Sequence, residues 1–424
     1  MANLSSAYRR RLVDPLLDDL LTELPAVMIV GARATGKTTT ISRRAATTVQ
    51  LNVPAEAAAF DADPDAALRG LDEPVLLDEW QAVPGTLGAV RRSVDADSRP
   101  SRFLLTGSVR GELENEVWPA TGRIVRVPIY PMTLREQRGG VDEPTFFDKV
   151  ATQIELTVPR DTPDLRGYVE LAETGGFPQP ALRLTGARRR AWLESYISDL
   201  LTHDVEQLEE PRTRRRDPQR LRRYFEAYAL NSAGLADHKT IYDAAQINKM
   251  TAVAYEQLLT QLYIVEKIPA WTSNRLKRLV HSPKRYLVDA ALLTSALRVD
   301  SNGVLRDGDL LGRVLDTFVA AQLRPEVARS ACTPRLHHLR TEGGKHEIDL
   351  IAELGGDQLI AIEVKADAAP KAEDARHLAW LRDELGDRFI AGVLFHTGPR
   401  VFRLGERITA APISTLWGSS ASAL

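Results

Sequence analysis

The chain has 424 residues, 44% of them hydrophobic, and its 55 basic and 57 acidic side chains leave a formal charge of −2. That length exceeds one compact core and calls for two or three domains, while the near-zero charge excludes bulk attraction to nucleic acid and leaves only local patches for such contact. No apolar run reaches bilayer-spanning length, the first ten residues lack a signal-peptide core, and the lone Cys332 excludes an intramolecular disulfide or a cysteine zinc site, so a cytoplasmic location is expected.

The first informative stretch runs from Val27 to Thr38. It reads as a buried strand, a glycine-rich turn and a helix start, and it fits the phosphate-binding pattern G-x-x-x-x-G-K-[ST]. Gly31 and Gly36 permit backbone angles that turn successive N–H groups inward around an anion. A helix expected over Lys37 to Thr47 points its positive end at the same place. Gly31, Ala32, Arg33, Ala34, Thr35, Gly36, Lys37, Thr38 and Thr39 are therefore the expected ATP-binding residues. Lys37 reaches the β- and γ-phosphates, and the Thr38 hydroxyl ligates Mg²⁺.

Hydrolysis needs an acid for the metal and a means of activating water. Pro74 to Glu79 reads as a parallel strand ending in two acids, at the end of the sheet where ligands bind. Asp78 is expected to hold Mg²⁺ through its water shell and Glu79 to polarise the attacking water. A third strand, Phe103 to Thr106, leads into Gly107-Ser108, so Thr106 or Ser108 would set a hydroxyl near the γ-phosphate. Arg110, Arg123 and Arg135 follow; Arg123 is the first choice for a transition-state arginine, in cis or from a neighbour, with a surface ion pair as the alternative.

These segments, with Leu77-Asp78-Glu79-Trp80-Gln81, Leu105-Thr106-Gly107-Ser108 and Pro131-Met132-Thr133-Leu134-Arg135-Glu136, resemble an AAA-type P-loop ATPase of the branch joined to domain of unknown function 4143 in bacteria and archaea. The resemblance continues through Gly175-Gly176-Phe177-Pro178 and Trp192-Leu193-Glu194-Ser195-Tyr196 and covers nearly the whole chain. It implies an α/β fold with a parallel-sheet ATPase domain at 1–160, a helical domain at 165–300 and a third domain at 305–424. The chain departs from the family in two ways. The sensing strand offers hydroxyls where an asparagine is common, and no motif assigns an arginine finger.

The middle region is helical. Trp192, Tyr196 and Leu200 fall four apart on one helix face, as core packing requires. Residues 219–285 read as helix, short helix, helix and hairpin, an order that resembles a winged helix. Its third helix carries no Arg or Lys over Thr251 to Leu258, which favours a structural or protein-docking role over DNA binding. The cations a DNA reading needs are Arg275, Lys277, Arg278, Lys284 and Arg285 on the wing, or the run Arg214-Arg215-Arg216 with Arg220, Arg222 and Arg223.

The last region pairs Glu347 to Ile351 with Leu359 to Lys365 across the turn Gly355-Gly356-Asp357. Asp349, then Glu363 and Lys365 two apart on one strand face, match the PD-(D/E)XK nuclease pattern, with Asp316 on the preceding helix completing the acids. In that restriction-endonuclease-like reading Asp316, Asp349 and Glu363 bind Mg²⁺ and Lys365 orients a water. A cross-strand salt bridge is the alternative. Three functions stay open: an ATP-driven switch, an ATP-gated metal-dependent nuclease, and a non-catalytic nucleotide-binding scaffold. ATP and Mg²⁺ are the expected ligands. DNA, a protein and a second copy of the chain are candidate partners, and no membrane is expected.

Overall fold

The computed structural model describes residues 8–107, 121–204, 217–272 and 282–418. Ser108, Arg110, the run Arg214-Arg215-Arg216, and Arg275, Lys277 and Arg278 lie outside the described residues. The chain divides into two compact units, Met1–Tyr130 with Gln261–Tyr263 and Pro131–Thr260 with Ile264–Leu424.

The first unit is α1 (Asp14–Glu23), β1 (Ala26–Val30), α2 (Lys37–Ile41), β2 (Thr47–Gln50), α3 (Pro54–Ala62), α4 (Pro64–Leu68), β3 (Val75–Asp78), α5 (Gly85–Ala96), β4 (Phe103–Gly107) and β5 (Val125–Pro128). The five strands form one parallel sheet in the order β2-β3-β4-β1-β5. Such a sheet is covered on both faces, which is why β1 and β4 are apolar without alternation. Met28 and Val30 pack with Leu77, Leu105, Phe60 and Leu87 on one face, and Val27 and Ile29 with Leu76, Leu104, Leu17 and Leu21 on the other. Because β4 lies between β1 and β3, the ends of these three strands open side by side. The α2 helix is shorter than expected; a 3₁₀ turn follows at Ser42–Arg44 and β2 already begins at Thr47.

The second unit starts with α6 (Leu134–Arg138), α7 (Phe146–Ala151), α8 (Leu165–Thr174), α9 (Pro178–Arg183) and α10 (Gly186–Asp199). It continues with α11 (Pro218–Leu230), α12 (His238–Ala244), α13 (Lys249–Gln261) and the antiparallel hairpin β6 (Val265–Ile268) and β7 (Lys284–Leu287). Next come α14 (Ala290–Ala296), α15 (Ser301–Arg306) and the twenty-residue α16 (Gly308–Val327). A mixed sheet closes the unit: β8 (Arg335–Arg340), β9 (Glu347–Glu353), β10 (Leu359–Val364), α17 (Arg376–Leu385), β11 (Phe389–His396), β12 (Phe402–Gly405) and β13 (Ile408–Pro412), in the order β12-β13-β11-β10-β9-β8. One face of this sheet holds Ile348, Ala361 and Phe389 against Leu378 and Leu381 of α17.

The division falls at Tyr130 rather than near 160 because α6 and α7 are tied to α16. Arg135 and Glu326 form a buried ion pair at 2.6 Å, and Thr145 and Ser330 share a hydroxyl contact of 2.7 Å. Gly175-Gly176 is a point of close approach: a Cβ on Gly176 would stand 2.2 Å from the Met132 carbonyl oxygen. The Gly176 amide donates to Asp289 at 2.7 Å, and Asp289 also caps α14 through the Ala291 amide. The Trp192 ring stacks on Tyr196 at 5.2 Å, with Phe177 4.8 Å from Tyr196, so the aromatic stripe is packing.

Candidate functional site

The loop after β1 is shaped by backbone. Gly36 sits at φ 92° and Ala34 at φ 61°, both left-handed. A side chain on Gly31 would place its Cβ 2.2 Å from the Ile129 carbonyl oxygen, so only glycine fits. Thr35 is fully buried and donates to the Ala32 carbonyl at 2.8 Å. Arg11 braces the loop by donating to the Thr35 carbonyl at 2.8 Å and to the Tyr130 carbonyl at 2.7 Å. No sequence pattern singled out Arg11, because it lies twenty-four residues before its partner.

Lys37 is buried, and its Nζ donates to the carbonyls of Gly31 and Ala32 at 3.0 Å each. Burial pushes its pKa down to about 8, against the raising influence of Glu79 and Asp78. An anion entering the loop therefore relieves an under-compensated cation. The Thr38 hydroxyl donates to Asp78 Oδ1 at 2.7 Å, which joins the loop to the end of β3. The Thr106 hydroxyl on β4 also donates to Asp78 Oδ1 and accepts the Glu79 amide at 3.0 Å. Glu79 has left-handed backbone, φ 54°, which turns it away from the strand direction, and its Oε2 accepts from the side-chain Nε2 of Gln81. A Cβ on Gly107 would stand 2.7 Å from Trp80 Nε1, so the end of β4 is packed tightly on the residue after Glu79. Arg33 in the loop is half-buried, and Thr39 in the first turn of α2 is exposed. Thr38 and Asp78 supply oxygen donors side by side, a set suited to Mg²⁺.

A second cluster lies in the other unit. Asp316 of α16, Asp349 of β9, and Glu363 and Lys365 on and just after β10 do come together, but with Lys284, expected on the wing, set between the two aspartates. Lys284 Nζ donates to Asp316 Oδ2 at 2.5 Å and to Asp349 Oδ1 at 2.9 Å. Tyr286, two residues on in the same strand, donates to Asp316 Oδ1 at 3.0 Å. The Val364 amide donates to Asp349 Oδ2 at 3.0 Å, and Lys365 Nζ stands 3.6 Å from Glu363 Oε2. Burial drives the Lys284 pKa down, but Asp316 and Asp349 outweigh it and hold the value above the ordinary lysine range. Burial raises Asp316 to about 7 and pushes Glu363 well above the carboxylate range, with Asp349 adding to the latter. Asp349 stays below its ordinary value because the charge and hydrogen bond of Lys284 overcome its burial.

The expected Mg²⁺ ligands thus do not fit a metal as they stand. The ammonium sits between two of the three carboxylates, and among the described residues no group of three or more His, Cys, Asp or Glu is arranged to hold a metal.

Residues 23–137 match the family described as an AAA domain. The chain carries an AAA domain joined to two domains of unknown function. These are DUF8612 at residues 165–303 and DUF4143 at residues 311–416. Uncharacterized proteins of Mycobacterium tuberculosis, Rv2008c, and Mycobacterium bovis, Mb2031c, are each 27% identical over 401 residues, 92% of this chain and 81% of theirs. A solved structure titled as the Walker-type ATPase PABY2304 of Pyrococcus abyssi is 16% identical, with 68% of this chain and 94% of that one covered at a TM-score of 0.38. That likeness is loose, and nothing in the site depends on it.

Within the AAA domain, Arg123 needs a correction. It precedes β5, whose Val125 pairs with Val27 near the start of β1, whereas the phosphate loop follows the other end of β1. Its guanidinium is half exposed and pairs with Asp95 at 2.8 Å. The surface ion pair is therefore what the structure contains, and a role in cis is out of reach. Arg135 is consumed by Glu326.

The wing cations change in the same way. Lys284 is spent in the carboxylate cluster, and Arg285 is buried against Glu256 at 2.8 Å. Lys267 also pairs with Glu256, at 3.2 Å. Of the second patch, Arg220 is exposed beside Asp217 at 3.4 Å. Among the described residues no helix is long and apolar enough to cross a membrane.

Proposed function

We propose that the chain binds MgATP at Gly31 to Thr38 and hydrolyses it, and that the cycle works as a conformational switch. The observation that carries this reading is the junction of Thr38, Asp78 and Thr106, which links the phosphate loop, the acid strand and the strand between them. Lys37 exchanges its two carbonyl partners for phosphate oxygens, an exchange its depressed pKa favours. Thr38 and Asp78 would hold Mg²⁺, which supplies charge neutralisation at the phosphate oxygens when bound. Glu79, turned aside by its left-handed backbone, stands as the group that orients and polarises water. Thr106 ties the Asp78 carboxylate to the Glu79 amide, so a shift at either acid is felt at β4.

The experiment is phosphate release by the purified chain, with and without DNA. Lys37→Ala is expected to abolish binding and turnover. Glu79→Gln is expected to retain ATP while slowing turnover by about 10²–10⁴-fold. Turnover unchanged in Glu79→Gln would remove the assignment of that residue; turnover unchanged in both variants would remove the ATPase reading.

A further inference from the structure

The carboxylate cluster of the second unit has the layout of a nuclease-like site with an extra charge at its centre. Asp316 arrives from α16 and Asp349 from β9, and both hold one ammonium from β7, while Glu363 of β10 lies beside Asp349. Lys284 is 1% exposed, so its Nζ has no solvent to fall back on. Its contacts of 2.5 and 2.9 Å take up one oxygen of each aspartate. The other oxygen of each is also taken: Asp316 Oδ1 by the Tyr286 hydroxyl and Asp349 Oδ2 by the Val364 amide. Every carboxylate oxygen of both aspartates thus already has a partner without a metal. Glu363 is 3% exposed, and its Oε1 is buried with no hydrogen-bond partner. A divalent ion needs several oxygens within about 2.0–2.6 Å. It would have to share the space with an ammonium of like sign, and two cations at that separation in a buried site repel strongly.

We propose that Lys284 serves as the resident cation of this cluster, standing in the position a divalent metal would need, so that the cluster is a metal-free ionic lock between the β6–β7 hairpin and the C-terminal sheet and does not cleave phosphodiesters. The lock accounts for three facts together. A lysine is buried at the start of β7, Tyr286 is aimed at the same acid, and Glu363 stays in the cluster without a full set of partners. It is independent of the ATP-binding site.

The proposal predicts a gain of function. The full chain, free of nucleotide, is titrated with Mn²⁺, and free Mn²⁺ is counted by its electron paramagnetic resonance signal. Lys284→Met keeps the side chain as far as Cε and removes the charged terminal group. It is expected to take up one more Mn²⁺ per chain than wild type, and the double variant Lys284→Met, Asp349→Asn is expected to lose that extra ion. A Lys284→Met chain that retains wild-type circular dichroism yet gains no ion overturns the proposal.

A second comparison does not depend on that variant folding. Wild type and Glu363→Gln are expected to take up the same number of Mn²⁺ ions and to nick supercoiled DNA equally little. Lower uptake, or slower nicking, by Glu363→Gln would mean that the wild-type cluster already holds a working metal, and the proposal would fall. Loss of ATP turnover in any of these chains speaks only to the first unit and leaves this outcome untouched.

Discussion

The pKa of Lys37 makes ATP affinity dependent on pH in a direction that can be worked out in advance. In the nucleotide-free loop the ammonium is buried and held at about 8. A triphosphate placed beside it restores the charged form toward the ordinary value of 10.5. Binding therefore takes up a proton, about half of one per site near pH 8. Between pH 7 and pH 9 the protonated fraction of the empty site falls from about nine-tenths to about one-tenth. The affinity should weaken about tenfold over that range, ~1.4 kcal/mol. The phosphates do not mask the effect, since they are almost fully ionised above about pH 7.

Isothermal titration in two buffers of different ionisation enthalpy reads both the dissociation constant and the proton uptake. Lys37→Arg, which does not titrate in this range, should bind with a flat profile. A wild-type dissociation constant that stays level from pH 7 to pH 9, or that tightens, would refute the argument. The same depressed value has a consequence for folding. The folded chain binds fewer protons at Lys37 than the unfolded chain between about 8 and 10.5, so the contribution of this group to stability rises with pH across that window.

Three further tests address the frame around the sites. Gly31→Ala puts a Cβ 2.2 Å from the Ile129 carbonyl oxygen, and a thermal-shift assay should show both a lower Tm and no protection by MgATP. Arg135→Ala strands Glu326 in the interior, and urea unfolding should register a loss of about 3–5 kcal/mol, most of it recovered when Glu326→Met is added to Arg135→Met. Arg123→Ala should leave ATP turnover per chain within about twofold of wild type at high dilution, because removing a half-exposed surface ion pair costs less than about 1 kcal/mol; a large fall that depends on protein concentration would instead show the arginine acting across a subunit boundary.

The parallel sheet and its phosphate loop were legible in the sequence because both signals are local. An apolar run, two glycines and a Lys-Thr pair lie within a dozen residues, and Asp78-Glu79 closes a run that fits a buried strand. The helix–helix–helix–hairpin order of residues 218–287 was legible from periodicity in the same way. What periodicity does not encode is the partner of a buried charge. Lys284 and Arg285 read as wing cations because alternate strand residues can face solvent, yet both meet acids 29 to 65 residues away. Arg135 follows the third strand of the ATPase region and so could pass for a nucleotide contact, while its acid lies 191 residues on. The cluster of Asp316, Asp349, Glu363 and Lys365 was anticipated from spacing. Its central ammonium was not, since nothing in the two strands and the helix that form the pattern announces a visitor from a fourth element.

The helix Gly308–Val327 has a practical bearing on how this chain can be taken apart. Along its length Asp316 meets Lys284, Arg324 meets Glu266 at 2.7 Å, and Glu326 meets Arg135. All three counterions come from segments that precede the helix. A fragment cut at 305 to isolate the DUF4143 region would expose a rod whose interior charges have lost every mate, and such a piece should precipitate or unfold where the intact polypeptide does not. Truncations meant to separate the ATPase from its C-terminal half belong before Pro131, a point that leaves each of these pairings whole.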